Sequence, residues 1–279
     1  MSLEMTSAKL LDRDGLIQVA RDYLAAVCRR DSSCLALAPG FRATENGKDI
    51  DLTSGYWSSV ERFAGELFFA DPETQQTAMM GVAYHDDQPW PFALRLRIGD
   101  SKISEAEAIL STDGNGAFAD VQQLLKADLL YQAPVPAGRA ASRDELERSA
   151  DSYWEGLQQS DGSIPAFHYR CDKYDNGAKT TNSLMTLLSP DKTVHSCVSG
   201  LNNTKPARPI SRNRRYPVLD TALSAAVSFV VVDFHPIPDS PRPDAGSFYM
   251  MGVFKVVDGQ LRIIDEIREI LPFGSESGW

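Results

Sequence analysis

One segment of this chain is written twice. When residue n is set beside residue n + 130, Arg13-Asp14 falls on Arg143-Asp144 (143 − 13 = 130), Leu16 on Leu146, Ala20 on Ala150 and Tyr23 on Tyr153. The match runs without a gap through Asp31/Asp161, Ser33/Ser163, Ala36/Ala166 and a conservative Glu45/Asp175 to Asn46-Gly47 and Asn176-Gly177. Solenoid repeats are far shorter than this, so a whole domain has been duplicated. The chain must therefore fold as two copies of one architecture, and 279 residues give each copy the size of a compact domain.

Each copy opens with a helix. Leu16, Val19, Ala20, Tyr23 and Val27 recur at helical spacing, as do Leu146, Ala150, Tyr153 and Leu157. Ser142-x-x-Glu145 has the form of a capping box just before the second helix. Tyr23 and Tyr153 lie on the buried stripes, either as core residues or with hydroxyls directed into a ligand cavity. After the Asn-Gly turns both copies become strand-rich, at 77–85, 91–99 and 102–110 and again at 222–235, 247–257 and 260–271. Tyr84-His85 now faces Phe234-His235, an offset of 150, which puts an insertion of about 20 residues (150 − 130) in the second copy, near 186–212. The closing strands pair Glu105 with Asp265. These boundaries give a first unit at 12–132, a linker at 133–141 and a second unit at 142–272.

"FRATENG", "CDKYDNGAKTTN", "RNRRYPVLD", "VDFHP" and the closing "KISEAEAIL" of the first copy carry a resemblance that covers roughly residues 12–272. The chain resembles the NTF2-like/SnoaL-like superfamily, and in particular a duplicated domain of unknown function widespread in fungi. The resemblance implies an α+β fold of two tandem NTF2-like (cystatin-like cone) units. Each would be a curved antiparallel sheet wrapped around its N-terminal helix, with an apolar pocket inside. The two units would form an intramolecular pseudo-dimer, which could associate further into a homo-oligomer. The superfamily includes dehydratases, isomerases, lyases and non-catalytic binders, so the fold leaves the chemistry open.

A net charge of −10 argues against a nucleic-acid or anionic-membrane surface, since neutralising phosphates requires clustered Lys and Arg. No stretch has the length of a membrane span, and the N-terminal residues lack the basic-then-apolar pattern of an export signal. The expectation is a cytoplasmic protein in which Cys28, Cys34, Cys171 and Cys197 are free thiols, with two disulfides or a local Cys28–Cys34 pair as the alternative, and in which the Asn202-Asn203-Thr204 sequon has no meaning. HExxH, HxxxH, GxGxxG and phosphate-loop patterns are absent, and "DGNGAF" (113–118) lacks the strand–glycine–helix context of a phosphate loop. The expected cofactor is none, and the expected chemistry is proton transfer.

Strand parity supplies candidates. Asp233 and His235 share a face with Phe229 and Val231, and a carboxylate beside an imidazole is a workable base with its orienting partner. That face is either concave or solvent-exposed. Asp265 alternates with Leu261, Ile263 and Ile267, where burial would raise its pKa. His168 and Tyr169 precede the second hairpin, and Arg215 could hold an oxyanion. Three of the four histidines, His168, His195 and His235, fall in the second unit, which makes it the expected active half. There Asp233 or Asp265 would be the base, His235 or His168 a proton relay, and Tyr153 or Arg215 the oxyanion holder. Tyr169, Asp175, Asn176, Tyr23, Glu45 and Trp57 are candidate substrate contacts. Asn-Gly would form each hairpin turn, with Glu45 and Asp175 either capping it or pointing inward. The expected function is a cofactor-independent lyase, dehydratase or isomerase acting on a bulky apolar, aromatic or polycyclic small molecule. The alternative is a non-catalytic small-molecule-binding or scaffold protein.

Overall fold

The computed structural model describes residues 10–112, 119–126, 129–133, 135–136, 138–183, 196–237 and 246–279. The "DGNGAF" stretch, His195 and part of the expected insertion lie outside the described residues. The first unit runs α1 (Arg13–Arg29), β1 (Leu37–Glu45), β2 (Lys48–Ile50), a single-turn α2 (Tyr56–Ser59), β3 (Arg62–Asp71), β4 (Gln76–His85), β5 (Gln88–Gly99) and β6 (Lys102–Leu110). Two short helices, α3 (Val121–Leu124) and α4 (Leu129–Gln132), lead onward. The second unit runs α5 (Arg143–Gln159), β7 (Phe167–Asp175), β8 (Ala178–Lys179), α6 (Cys197–Asn202), β9 (Ile210–Asp220), β10 (Ala225–Phe234), β11 (Gly246–Val257) and β12 (Gln260–Pro272).

The two long helices start and stop by the same devices. Asp12 accepts the Gly15 amide at 2.8 Å to begin α1, and the Ser142/Glu145 capping box begins α5. Arg30 and Ser160, 130 residues apart (160 − 30), both end their helices in the left-handed region. The repeated Asp31/Ser33 and Asp161/Ser163 pairs are turns in which the aspartate accepts the serine amide, at 2.9 and 2.8 Å.

Each unit builds one six-stranded sheet, ordered β2-β1-β6-β5-β4-β3 and β8-β7-β12-β11-β10-β9. The expected all-antiparallel sheet is corrected: β1 pairs β6, and β7 pairs β12, in parallel. The first and last strands of a unit are joined through the whole unit and not by a hairpin, so nothing forces them to run in opposite directions.

Both faces of each sheet are covered. The inner face of the first sheet packs on α1 through Met79, Phe92, Leu94, Leu96 and Ala106. Its counterpart packs on α5 through Val230, Val232, Met250, Phe254 and Ile264. The other two faces meet in a third cluster, where Leu67, Phe69, Met80 and Val82 lie against Val227, Phe229, Val231 and Met251. This seam makes the two units one packed body.

Strand register fixes which residues correspond. Asp71 opposes Gln76 as Asp220 opposes Ala225, an offset of 149 (220 − 71). Arg95 opposes Glu107 as Val253 opposes Asp265, an offset of 158 (265 − 107). Asp265 therefore corresponds to Glu107 and not to Glu105, and His85 corresponds to Phe234 (234 − 85 = 149). The insertion is also narrower than expected, because residues 210–212 already belong to β9.

The seam is held by a reciprocal exchange. Arg143, leading α5, donates to Asp71 at 2.7 Å, and Asp71 also accepts the Leu219 amide at 3.1 Å. Arg13, leading α1, donates to Asp220 at 3.0 Å, and Asp220 also accepts the Ala70 amide at 3.1 Å. Arg13 corresponds to Arg143, Asp71 to Asp220 and Ala70 to Leu219, so residue i of one unit meets residue j of the other, and the reverse, as across a twofold axis. The repeated arginines are the outer halves of these ion pairs.

The duplicated Asn-Gly is explained in the same way. Asn46 and Gly47 have φ of 49° and 78°, and Asn176 and Gly177 have 47° and 83°, the positive-φ pair of a two-residue hairpin turn. Each asparagine amide then pairs with backbone beyond its own turn. Asn46 binds both the carbonyl (2.9 Å) and the amide (3.0 Å) of Leu110, and Asn176 does the same to Arg268 at 3.1 and 2.9 Å. The glycines are needed for closeness as well as for φ. A Cβ at Gly177 would strike the carbonyl of Asp120, which follows the first unit, and one at Gly47 would strike that of Glu276, which follows the second. Each unit's trailing segment thus braces the other unit's first hairpin. Trp279 completes one brace, donating its indole N–H to Thr44 at 2.9 Å beneath the Arg42 and Arg95 guanidiniums.

Arg143→Ala would leave the Asp71 carboxylate buried without its cation, and Arg13→Ala would do the same to Asp220. Each should cost about 2–4 kcal/mol, somewhat below the range for removing one partner of a fully buried pair, because both arginines are partly exposed. Denaturant midpoints check this. Losses below about 0.5 kcal/mol in both variants would show that the exchange does not hold the seam.

Candidate functional site

One group of ionisable side chains that the fold buries together lies on the inner face of the second sheet. Strands β7 and β12 run side by side with Asp175 opposite Glu266 and Lys173 opposite Ile264. Alternation along β7 turns Cys171, Lys173 and Asp175 to the same side, and Ile264, Glu266 and Arg268 follow the same rule on β12. Tyr153 reaches in from α5 and donates its hydroxyl to Glu266 Oε1 at 2.8 Å. Lys173 Nζ donates to Glu266 Oε2 at 2.9 Å and also to Asp175. Around them Tyr153, Trp154 and Phe254 form a set of ring contacts with centroids 5.0–5.8 Å apart, and Trp154 donates its indole N–H to Ser228 at 3.0 Å.

The electrostatics follow from that enclosure. Burial, reinforced by the Asp175 charge and opposed by Lys173, pushes Glu266 up to about 7. Burial would also raise Asp175, but the charges of Lys173 and Arg268 overcome it and hold that carboxyl below its ordinary range. Lys173 is raised despite burial, by Asp175 and Glu266. Burial, then the Glu266 charge, drives the Tyr153 phenol well up. Two carboxyls joined by one ammonium have thus been pushed in opposite directions, the pattern that separates an acid from its neighbouring anion. The side chains of Lys173 and Asp175 keep 17% and 15% of their surface in contact with solvent, and Glu266 keeps 5%.

The first unit has no such cluster. The positions of Lys173, Glu266 and Arg268 are held there by Ala43 (173 − 130), Ala108 (266 − 158) and Leu110 (268 − 158), all buried in its apolar core. Glu45, the counterpart of Asp175, accepts the Tyr56 amide at 2.5 Å and is raised by burial. Tyr23 shares a 2.6 Å hydrogen bond with Tyr56 and accepts the Trp57 indole N–H at 2.9 Å. That interior is aromatic packing, with Trp57 and Tyr56 brought in by α2.

Of the residues expected from sequence, Tyr153 and Asp175 join the cluster, and Asn176 forms the turn beside it. Asp233 does not join. It faces the seam side of β10, bound by Arg212 through both oxygens (2.7 and 3.0 Å) and by Ser247, and these partners hold its pKa low against the effect of burial. A carboxylate so engaged is a poor base. His235 rests its ring on Phe273 at 5.2 Å, just beyond β10. Asp265 is buried as expected but points to the seam, bordering a small cleft of about 30 Å³ lined by Leu67, Met80, Lys126, Tyr131 and Tyr174. Arg215 is spent at the seam on Glu107, with contacts of 2.5 and 3.0 Å. His168 stacks on Tyr169, and Tyr169 is 80% exposed at the start of β7.

Lys173 and Glu266 are not among the residues that the sequence singles out. The parity of "CDKYD" was enough to place Lys173 with Asp175. Glu266 was hidden because β12 shifts register near residue 262, so Leu261 and Ile263 face opposite sides and alternation from Leu261 selects the wrong acid.

The free-thiol expectation is corrected for one pair: Cys171 and Cys197 form a disulfide that ties α6 to β7, whereas Cys28 and Cys34 are free. His85 and Asp86 at the β4–β5 turn and Glu61 just before β3 each place one potential metal-ligand atom within 4.8 Å of the others; Glu61 and Asp86 are exposed, as acidic surface groups commonly are. Among the described residues no helix is long and apolar enough to cross a membrane.

Residues 139–268 match the model of a family described as "Domain of unknown function (DUF8021)". No curated protein matches the chain. One solved structure, "Crystal structure of a de novo designed protein with curved beta-sheet", is similar over 42% of this chain and 98% of its own, at 13% identity and a TM-score of 0.31.

The raised Glu266 gives a stability test. Its native pKa lies above its unfolded value, so the native state holds a proton that the unfolded chain releases between about 4.5 and 7. The stabilisation is complete below that window and is lost as pH rises through it. Glu266→Gln, which keeps the neutral shape, should therefore gain on the order of 1–3 kcal/mol relative to the parent between pH 5 and 8.5. Denaturant titrations of both proteins at the two pH values measure this. Parallel pH dependences would show that Glu266 ionises normally.

Proposed function

We propose that the second unit is an acid–base catalyst for a small enolisable carbonyl compound, of the lyase, dehydratase or isomerase type, and that it is built on an NTF2-like cone. The observation that carries the reading is the Lys173–Asp175–Glu266–Tyr153 cluster, present in one unit and replaced by alanines and an aromatic core in the other. A buried polar group is costly unless it is paired, and perturbed carboxyls concentrate where proton transfer is done. In this reading Glu266, poised near neutrality, removes the substrate proton. Lys173 and Arg268 hold the developing oxyanion, and Asp175 keeps Lys173 charged. These side chains carry out the step without a further group. The aromatic filling by Tyr153, Trp154 and Phe254 favours a small substrate over a bulky polycyclic one.

The test is hydrogen–deuterium exchange by NMR on a panel of small ketones and keto acids in deuterated buffer. The parent protein should exchange the acidic carbon-bound proton of at least one compound, with a rate that climbs through about pH 7 and then levels. Glu266→Gln should lose about 10²–10⁴-fold, the usual contribution of a positioned base. Equal rates for the parent and the variant would end the catalytic reading.

A further inference from the structure

We propose that this chain matures in an oxidising secretory compartment and carries an N-linked glycan on Asn202. Two features of the same segment converge on this. The Cys171–Cys197 disulfide closes a 26-residue separation and anchors the first residue of α6, and a structural disulfide persists where thiols are not kept reduced. Five residues after Cys197, at the other end of α6, stands Asn202 in the sequon Asn202-Asn203-Thr204. In a reducing cytoplasm neither feature would have a use; in the secretory route both do.

The geometry suits the modification. Gly162 lies so close under α6 that a Cβ there would strike the Val198 backbone, so that side of the helix is occupied. The Gly162 amide donates to Asn202 Oδ1 at 2.7 Å, which fixes the side-chain carbonyl inward and leaves Nδ2 as the outward atom. Asn202 and Asn203 are both exposed. The Thr204 hydroxyl folds back on the Leu201 carbonyl at 2.7 Å and away from Asn202, so the glycan, once attached, displaces no contact that this structure shows. One turn earlier, Val198 is a large apolar side chain left 41% exposed, and positions four apart share a helix face. The first sugar on Asn202 would lie over it.

The transfer is balanced as follows. Nδ2 of Asn202 attacks C1 of the reducing-end N-acetylglucosamine of a lipid-pyrophosphate-linked oligosaccharide donor. The N–C1 bond forms, and the C1–O bond to pyrophosphate breaks. The lipid pyrophosphate leaves with the electron pair, and one amide proton passes to solvent.

The experiment follows the epitope-tagged full chain in the organism that encodes it, beside Asn202→Gln and Thr204→Ala variants. Treatment with a peptide-N-glycosidase in heavy-oxygen water should shift the parent on a gel and leave labelled aspartate at position 202. Both variants should migrate like the deglycosylated parent and show no shift. Peptide mapping without reduction should recover Cys171 joined to Cys197, with Cys28 and Cys34 open to alkylation. A parent that shows no shift overturns the glycan, whatever the state of the cysteines. A parent whose Cys171 and Cys197 both react with alkylating agent overturns the compartment.

Discussion

Each sheet in this protein is apolar on both faces, and one helix can cover only one of them. With α1 and α5 on the inner faces, Met80, Val82, Phe229 and Val231 would stand in water if either unit were alone. Burying a side chain of this size stabilises by about 1.5–3 kcal/mol, so the seam contributes far more than the two ion pairs at its rim. The ion pairs contribute orientation. Arg13 finds Asp220, and Arg143 finds Asp71, only when the sheets meet in one register, and each aspartate also satisfies a backbone amide across the seam. Non-directional burial supplies the force and the exchanged carboxylates choose the geometry.

That two-sided burial also explains what could be read from the sequence. The duplication, the helices with their caps, the Asn-Gly hairpins and the three-stranded runs are local or periodic features, and they could be found by offset and spacing. Strand β10 is buried at nine successive positions, so alternation separates its faces without telling which is which. Alternation leaves the face of Asp233 concave or solvent-exposed and that of Asp265 concave, whereas both lie on the face covered by the other unit. Register breaks interrupt the alternation of β3 and β9, so neither shows the period of a strand. Glu266 was displaced by a single-residue bulge. Spacing does not single out the Cys171–Cys197 pair, since these residues, 26 apart in sequence, meet only through the packing of α6 beside β7.

The two interiors show how one scaffold tolerates opposite chemistry. At matched positions the first unit has Ala43, Ala108 and Leu110, and the second has Lys173, Glu266 and Arg268. Charges so enclosed are costly to desolvate, and removing any one member leaves the rest uncompensated. The cluster persists as a set: Lys173 pairs with Asp175 and Glu266, Tyr153 donates to Glu266, and burial lifts Glu266 to about 7, so that it can meet the enclosure as a neutral acid. The unit without the cluster spends the same volume on Trp57 and Tyr56, a filling that needs only one buried amide–carboxylate bond, from Tyr56 to Glu45.

The seam repeats its backbone but not its chemistry. Glu107 is fully buried there and accepts from Arg95 of its own sheet and from Arg215 and Tyr249 of the other. Across the pseudo-twofold, Asp265 stands where Glu107 stands. The positions matching Arg215 and Tyr249 are Leu67 and Pro91, which pair with Met80 and Val82 as Arg215 and Tyr249 pair with Phe229 and Val231. A first unit packed on a copy of itself would bury two Glu107 carboxylates with no arginine arriving from the far side. Against the second unit that carboxylate is met. Rejection of the like partner is part of how a duplicated chain keeps its halves paired to each other, and one buried glutamate supplies it.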